Sequence, residues 1–107
     1  MTQITPPLLK QWLADTGRKP PLLLDVREPW EFRTCHIEGS TLLPMNTIPA
    51  RAHELDADAE TVVICHHGAR SYQVAAFLER NGFPKLYNLQ GGVNAWADQV
   101  EPGMPRY

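Results

Sequence analysis

Four short apolar runs punctuate this chain of 107 residues: Leu22-Leu23-Leu24, Thr41-Leu42-Leu43, Thr61-Val62-Val63-Ile64, and Leu86-Tyr87 with Leu89. All are too short for helices and read as strands. The first, bounded by Pro20-Pro21 and Asp25, has the unbroken apolar character of a strand buried on both faces. Between the runs, apolar residues recur at helical spacing. Thr5 followed by Pro6 predicts an N-cap and first turn for a helix that carries Leu8, Leu9, Trp12 and Leu13 and ends before Gly17. A short helix is expected from the proline of Glu28-Pro29-Trp30-Glu31-Phe32, and another between Ile48 and Leu55. Ser71 to Arg80 places Val74, Ala75, Phe77 and Leu78 on one face, and Asn81-Gly82 supplies a left-handed stop. Strands that alternate with helices imply an α/β fold with a mainly parallel sheet. Such sheets bind ligands outside the carboxyl ends of their strands, where Asp25 and Cys65 both fall.

The length suits one domain, residues 1–107, with 101–107 as an extended tail. The formal net charge of −2, with acids and bases interspersed, lacks the basic excess expected of a nucleic-acid binder. No stretch is long and apolar enough to span a bilayer, and Met1 to Pro7 does not read as a leader. The expected location is the cytoplasm, where Cys35 and Cys65 stay reduced.

Cys65 directly follows the β-branched run and opens Cys65-His66-His67-Gly68-Ala69-Arg70-Ser71, which leads into the predicted helix. A helix N-terminus presents unpaired N–H groups and a positive partial charge, so an anionic sulfur held there is stabilised, and the sulfur is expected to stand exposed and ready to react. An ordinary cysteine is only about 3% thiolate at pH 7, which makes such a location informative. The spacing refines the chemistry. Cysteine phosphatases separate cysteine and arginine by five residues, which here would require arginine at Ser71; instead four residues separate Cys65 from Arg70. The shorter loop suits a ring of N–H donors around one extra sulfur better than around a phosphate. Gly68 permits the tight turn, and Arg70 reads as a clamp for an anionic donor, or else as a first-turn arginine paired with a carboxylate. His66 and His67 lack a second arm of metal-ligand spacing, so no metal is expected, nor any other cofactor.

Taken together, Asp25-Val26-Arg27-Glu28 with Trp30-Glu31-Phe32, His36-Ile37-Glu38-Gly39-Ser40 with Pro44, the loop Cys65 to Arg70, and Gly91-Gly92-Val93-Asn94-Ala95-Trp96 resemble the successive signatures of a rhodanese domain. The resemblance implies a three-layer α/β domain with a central, mainly parallel five-stranded sheet flanked by helices. It implies a sulfurtransferase in which Cys65 carries a persulfide and His66, His67, Gly68, Ala69 and Arg70 cradle it. Asp25 would support the loop from behind, and Arg27 would bond Glu31. Cys35 stands where the family motif is not expected to hold a cysteine, and is either a small buried hydrophobe or a second thiol for the persulfide. Pro105-Arg106-Tyr107 resembles the ending of rhodanese domains attached to sulfur-carrier activating enzymes; equally, Met104 and Tyr107 could simply pack the tail on the domain.

The implied partners are a small anionic sulfur donor such as thiosulfate and a thiol, cyanide or protein sulfur acceptor, with neither nucleic acid nor membrane involved. Sulfite leaves without a proton, which fits a loop with no evident general acid. The competing classes are a non-catalytic binding or regulatory module on the same fold and a relay partner of a sulfur-carrier system. A phosphatase is disfavoured by the loop length.

Overall fold

The computed structural model describes residues 1–107. Its elements run β1 (Thr2–Ile4), α1 (Pro6–Ala14), β2 (Leu22–Asp25), α2 (Pro29–Thr34), β3 (Thr41–Leu42), α3 (Ile48–Arg51), β4 (Thr61–Ile64), α4 (Ala69–Arg80), β5 (Leu86–Leu89) and α5 (Gly92–Gln99). Short 3-10 turns at Met45–Thr47 and Ala52–Glu54 flank α3, so the helix expected over Ile48 to Leu55 is cut to one turn between them. Thr5 caps α1, its Oγ1 accepting from the Leu8 N–H, and Pro6 occupies the first turn as the sequence requires.

The five strands form one all-parallel sheet in the order β1-β5-β4-β2-β3. The edge strand β1 is the one that the apolar runs do not reveal. It has three residues, of which only Ile4 is buried, and it exists because β5 offers a parallel edge. β4 sits in the middle and is buried along its whole length. Because side chains alternate across a strand, Val62 and Ile64 enter one apolar cluster with Leu9, Trp12, Val93 and Trp96, from α1 and α5. Val63 and Cys65 enter the other, with Ile48 from α3 and Val74, Ala75 and Leu78 from α4. Leu23 and Leu24 divide in the same way, giving the three layers.

The topology fixes the place for chemistry. From β2 the chain moves to β3 on one side, and from β4 to β5 on the other, so the carboxyl ends of the neighbouring strands β2 and β4 border a switch point. Asp25 pairs with Ile64 in register, and the ladder continues past the strands through Val26 N–H to Ile64 C=O, 2.9 Å. Asp25 and Cys65 are thereby brought to the same edge. No helix is long and apolar enough to cross a membrane.

Candidate functional site

Cys65 is the first residue after β4, and Gly68 caps α4 with φ of +104°, the left-handed conformation that glycine adopts without strain. The chain therefore turns sharply and brings the Gly68 N–H back to the Cys65 Sγ at 3.0 Å. The Ser71 Oγ lies 3.3 Å from the same sulfur and donates to Asn88 Oδ1 in β5. Asn88 Nδ2 in turn donates to the Gly68 carbonyl at 3.2 Å and to Gln3 Oε1 at 3.1 Å, tying the loop to the sheet edge.

A second contact orients the loop from below. At the start of α5 the N–H groups of Val93 and Asn94 donate to the carbonyls of Cys65 and His66, at 2.9 and 3.1 Å. In a planar trans peptide the N–H points opposite to the C=O. Turning these two carbonyls toward α5 turns the His66 and His67 N–H groups away from it. The approach is so close that a Cβ on Gly92 would lie 2.3 Å from the Cys65 carbonyl oxygen, and its φ of +60° also suits glycine. Within the loop and the first turn of α4, the N–H groups of His66, His67, Ala69, Arg70 and Ser71 make no hydrogen bond inside the chain. The structure thus brings together a sulfur and a run of free donors.

The sulfur lies deeper than the sequence suggests. Cys65 is 1% exposed, because its alternation on β4 directs it into the α4-side cluster and Gly68 and Ser71 cover it. His66 is half-buried and His67 exposed. Burial is the main cause that pushes the His66 imidazole below its usual pKa, followed by repulsion from His67, so His66 is held toward its neutral form.

The charged groups correct one pairing. Arg27 does not bond Glu31. It turns back on Asp25, donating from Nε and Nη2 at 2.8 to 3.2 Å, with both side chains fully buried. It also donates to the Cys35 carbonyl at 2.7 Å and to the Tyr107 hydroxyl at 2.8 Å. Asp25 at the end of β2 is only two residues away, a reach that Glu31 on α2 cannot match. Burial lowers the Arg27 pKa, but the hydrogen bonds that it donates to Asp25 and Tyr107 outweigh it and the net shift is upward.

Glu31 is instead the partner of Arg70, through two parallel bonds of 2.7 and 2.8 Å. This supplies the carboxylate that an arginine in the first turn of a helix needs against the dipole. Glu31 also accepts from the Glu28 N–H at 2.9 Å and from the Tyr107 hydroxyl at 2.7 Å. The Arg70 hydrogen bonds hold its carboxyl down at about 2 against the opposing effect of burial. Arg70, raised chiefly by Glu31, uses two of its N–H groups on that carboxylate and has no protein partner at Nε.

Cys35 closes α2 in the α1/α5-side cluster, on the other side of the sheet from Cys65, with its Sγ 3.9 Å from Arg27 Nη1. Of its two readings, the packed hydrophobe matches this placement. The tail packs as the alternative for it anticipates: Met104 is buried, and the Tyr107 ring meets Trp30 and His66 edge-on, with centroids 5.3 and 4.2 Å apart. Three further residues belong to the site that the sequence pattern does not assign to it: Ser71, Asn88 and Tyr107. Ser71 was visible as the residue after the arginine, whereas nothing local marks Asn88 or Tyr107.

The rhodanese-like domain family matches residues 5–99 of the chain. A sulfurtransferase of Allochromatium vinosum is 44% identical over 89 residues, covering 83% of this chain and 81% of that protein. A probable adenylyltransferase/sulfurtransferase, MoeZ of Mycobacterium tuberculosis, is 41% identical over 106 residues, 97% of this chain but only 26% of that longer protein. Among solved structures, a rhodanese-like domain protein from Staphylococcus aureus superposes with a TM-score of 0.83 at 34% identity, covering 94% and 95% of the two chains. With its all-parallel sheet, its loop closed by α5 and these similarities, the chain belongs to the rhodanese-like domain family.

Proposed function

We propose that this protein transfers a sulfane sulfur through a persulfide on Cys65, with His66 to Arg70 as the cradle and Asp25, Arg27 and Glu31 as its support. The observation that carries this reading is the run of five N–H groups without partners in the chain, between Cys65 and the first turn of α4, beside the Gly68 N–H that reaches the sulfur. They match an anion that the loop does not itself provide.

In the first step the Cys65 thiolate attacks the outer sulfur of thiosulfate. The new S–S bond forms as the old one breaks, and sulfite departs with the electron pair and no proton. The attached sulfur stands about 2.0 Å beyond Sγ, which moves the reactive anion out of the core and toward the free amides. There it is stabilised by preorganised donors. Attack by cyanide or a thiolate on the outer sulfur then returns Cys65 as a thiolate.

We read residues 1–107 as one rhodanese unit with 101–107 as its tail. A reducing compartment such as the cytoplasm would preserve both free thiols. A protein thiol is the alternative acceptor to cyanide.

Intact-mass measurement after incubation with thiosulfate should show one added sulfur, mapped to the Cys65 peptide and absent in Cys65→Ser. An unchanged mass, or thiocyanate formation that survives Cys65→Ser, would refute the proposal.

A further inference from the structure

Tyr107 is 40% exposed, yet its hydroxyl is fully engaged. It accepts from Arg27 Nη1 at 2.8 Å and donates to Glu31 Oε2 at 2.7 Å. It is therefore the one side-chain link between the two ion pairs, Asp25–Arg27 and Glu31–Arg70, through hydrogen bonds that run continuously from the end of β2 to the first turn of α4. Its ring is fixed between Trp30 and His66, so the hydroxyl has little freedom to choose other partners. The anchor is asymmetric. Asp25 and Arg27 are wholly buried, whereas 36% of the Arg70 side chain is open to solvent.

We propose that Tyr107 is a positioning residue, which fixes Glu31 against the buried Arg27 and thereby aims the Arg70 guanidinium at the mouth of the Cys65 loop. The inference rests on the reading of Cys65 as the reacting thiol. The Glu31 carboxylate has four donors to satisfy, two from Arg70, one from the Glu28 N–H and one from Tyr107. Without the hydroxyl, Oε2 loses its only contact to the rigid side of the site, and the bidentate plane of Arg70 is free to tilt with it. Arg70 is the cation closest in sequence to the loop amides, so a tilt changes how an anionic reagent is received and leaves a neutral one nearly unaffected.

The test compares Cys65 alkylation by iodoacetate, an anion, with alkylation by iodoacetamide, its neutral counterpart, resolved from Cys35 by peptide mapping. The ratio of the two rates needs no sulfur transfer, so a failure of the persulfide chemistry leaves this readout intact. Tyr107→Phe keeps the ring and removes the hydroxyl. It should lower the iodoacetate-to-iodoacetamide ratio about 3- to 5-fold while the iodoacetamide rate stays within about 2-fold, and it should have no further effect in an Arg70→Ala background, because the two residues act through one network. In thiosulfate turnover the loss should fall on KM rather than kcat. A ratio unchanged by Tyr107→Phe, an equal change in both rates, or a fall that persists without Arg70 would overturn the proposal.

Discussion

Arg27 lies two residues from its carboxylate, Asp25, and both side chains are fully buried; Arg70 reaches Glu31 across 39 residues of sequence and leaves 36% of its side chain exposed. The first pair is saturated. Arg27 spends its donors on Asp25, the Cys35 carbonyl and Tyr107, and no buried polar side-chain atom of the protein lacks a partner. A buried charge of this kind survives only because every bond is made, and it has nothing left to offer a ligand. The second pair leaves the Arg70 Nε without a partner, on the residue that ends the loop opened by Cys65. Two carboxylate–guanidinium pairs thus take opposite roles, one as a fixed post and one as an adjustable charge, and the exposure of the arginine decides which.

The comparison breaks most readily at Arg27. Arg27→Ala strands a buried carboxylate and should cost about 3–5 kcal/mol in urea unfolding; a loss below about 1 kcal/mol would mean that the buried pair is no post. Arg70→Ala should lie on the other side of the contrast. Its stability cost should be about 1–2 kcal/mol, because the Glu31 carboxylate keeps the Glu28 N–H and the Tyr107 hydroxyl, while kcat/KM for thiosulfate falls roughly 10- to 100-fold. Equal effects of the two substitutions on unfolding would erase the distinction.

Acid sharpens it further. The Glu31 carboxyl sits at about 2 in the folded chain, against roughly 4.3 when unfolded. A depressed carboxyl contributes fully above its unfolded value and loses that contribution as pH falls through the folded one. Stability should therefore decline between about pH 4.5 and 2, by on the order of 2 kcal/mol once screening of the half-open Arg70 is allowed for. Glu31→Gln should flatten that limb. A slope unaltered by the substitution would assign the acid response to other carboxylates. The smallest effect is that of salt: raising NaCl from about 0.05 to 0.5 M should weaken the Arg70–Glu31 coupling by a few tenths of a kcal/mol and leave Arg27–Asp25 unmoved. Double-mutant cycles at the two salt concentrations measure this directly.

Much of the site was legible because its parts are local. Cys65, Gly68 and Arg70 stand within six positions, and a strand that ends in a glycine-capped helix is written in the β-branched run and the spacing. The Arg27 pairing was not legible, since Asp25 and Glu31 are both carboxylates near it in sequence and only the direction of β2 against α2 separates them. The depth of Cys65 escaped for a similar reason. Whether the residue after a strand points into the core depends on the register of that strand, and the apolar run Thr61 to Ile64 is buried on both faces and gives no parity signal. β1 was missed because three residues with one buried side chain carry no pattern.

The sequence by itself determined the alternation of strands and helices, the family, and the order in which thiol, glycine and arginine meet the start of α4, because each of these follows from near neighbours and from period. The tertiary structure alone decided which carboxylate each arginine holds, how α5 turns the loop carbonyls away to leave the amides unpaired, and that Tyr107 joins the two ion pairs. Apart from the Arg27–Asp25 pair, those are contacts between residues 28 to 80 positions apart, and their energy depends on distance and burial, quantities that exist only once the chain has closed on itself.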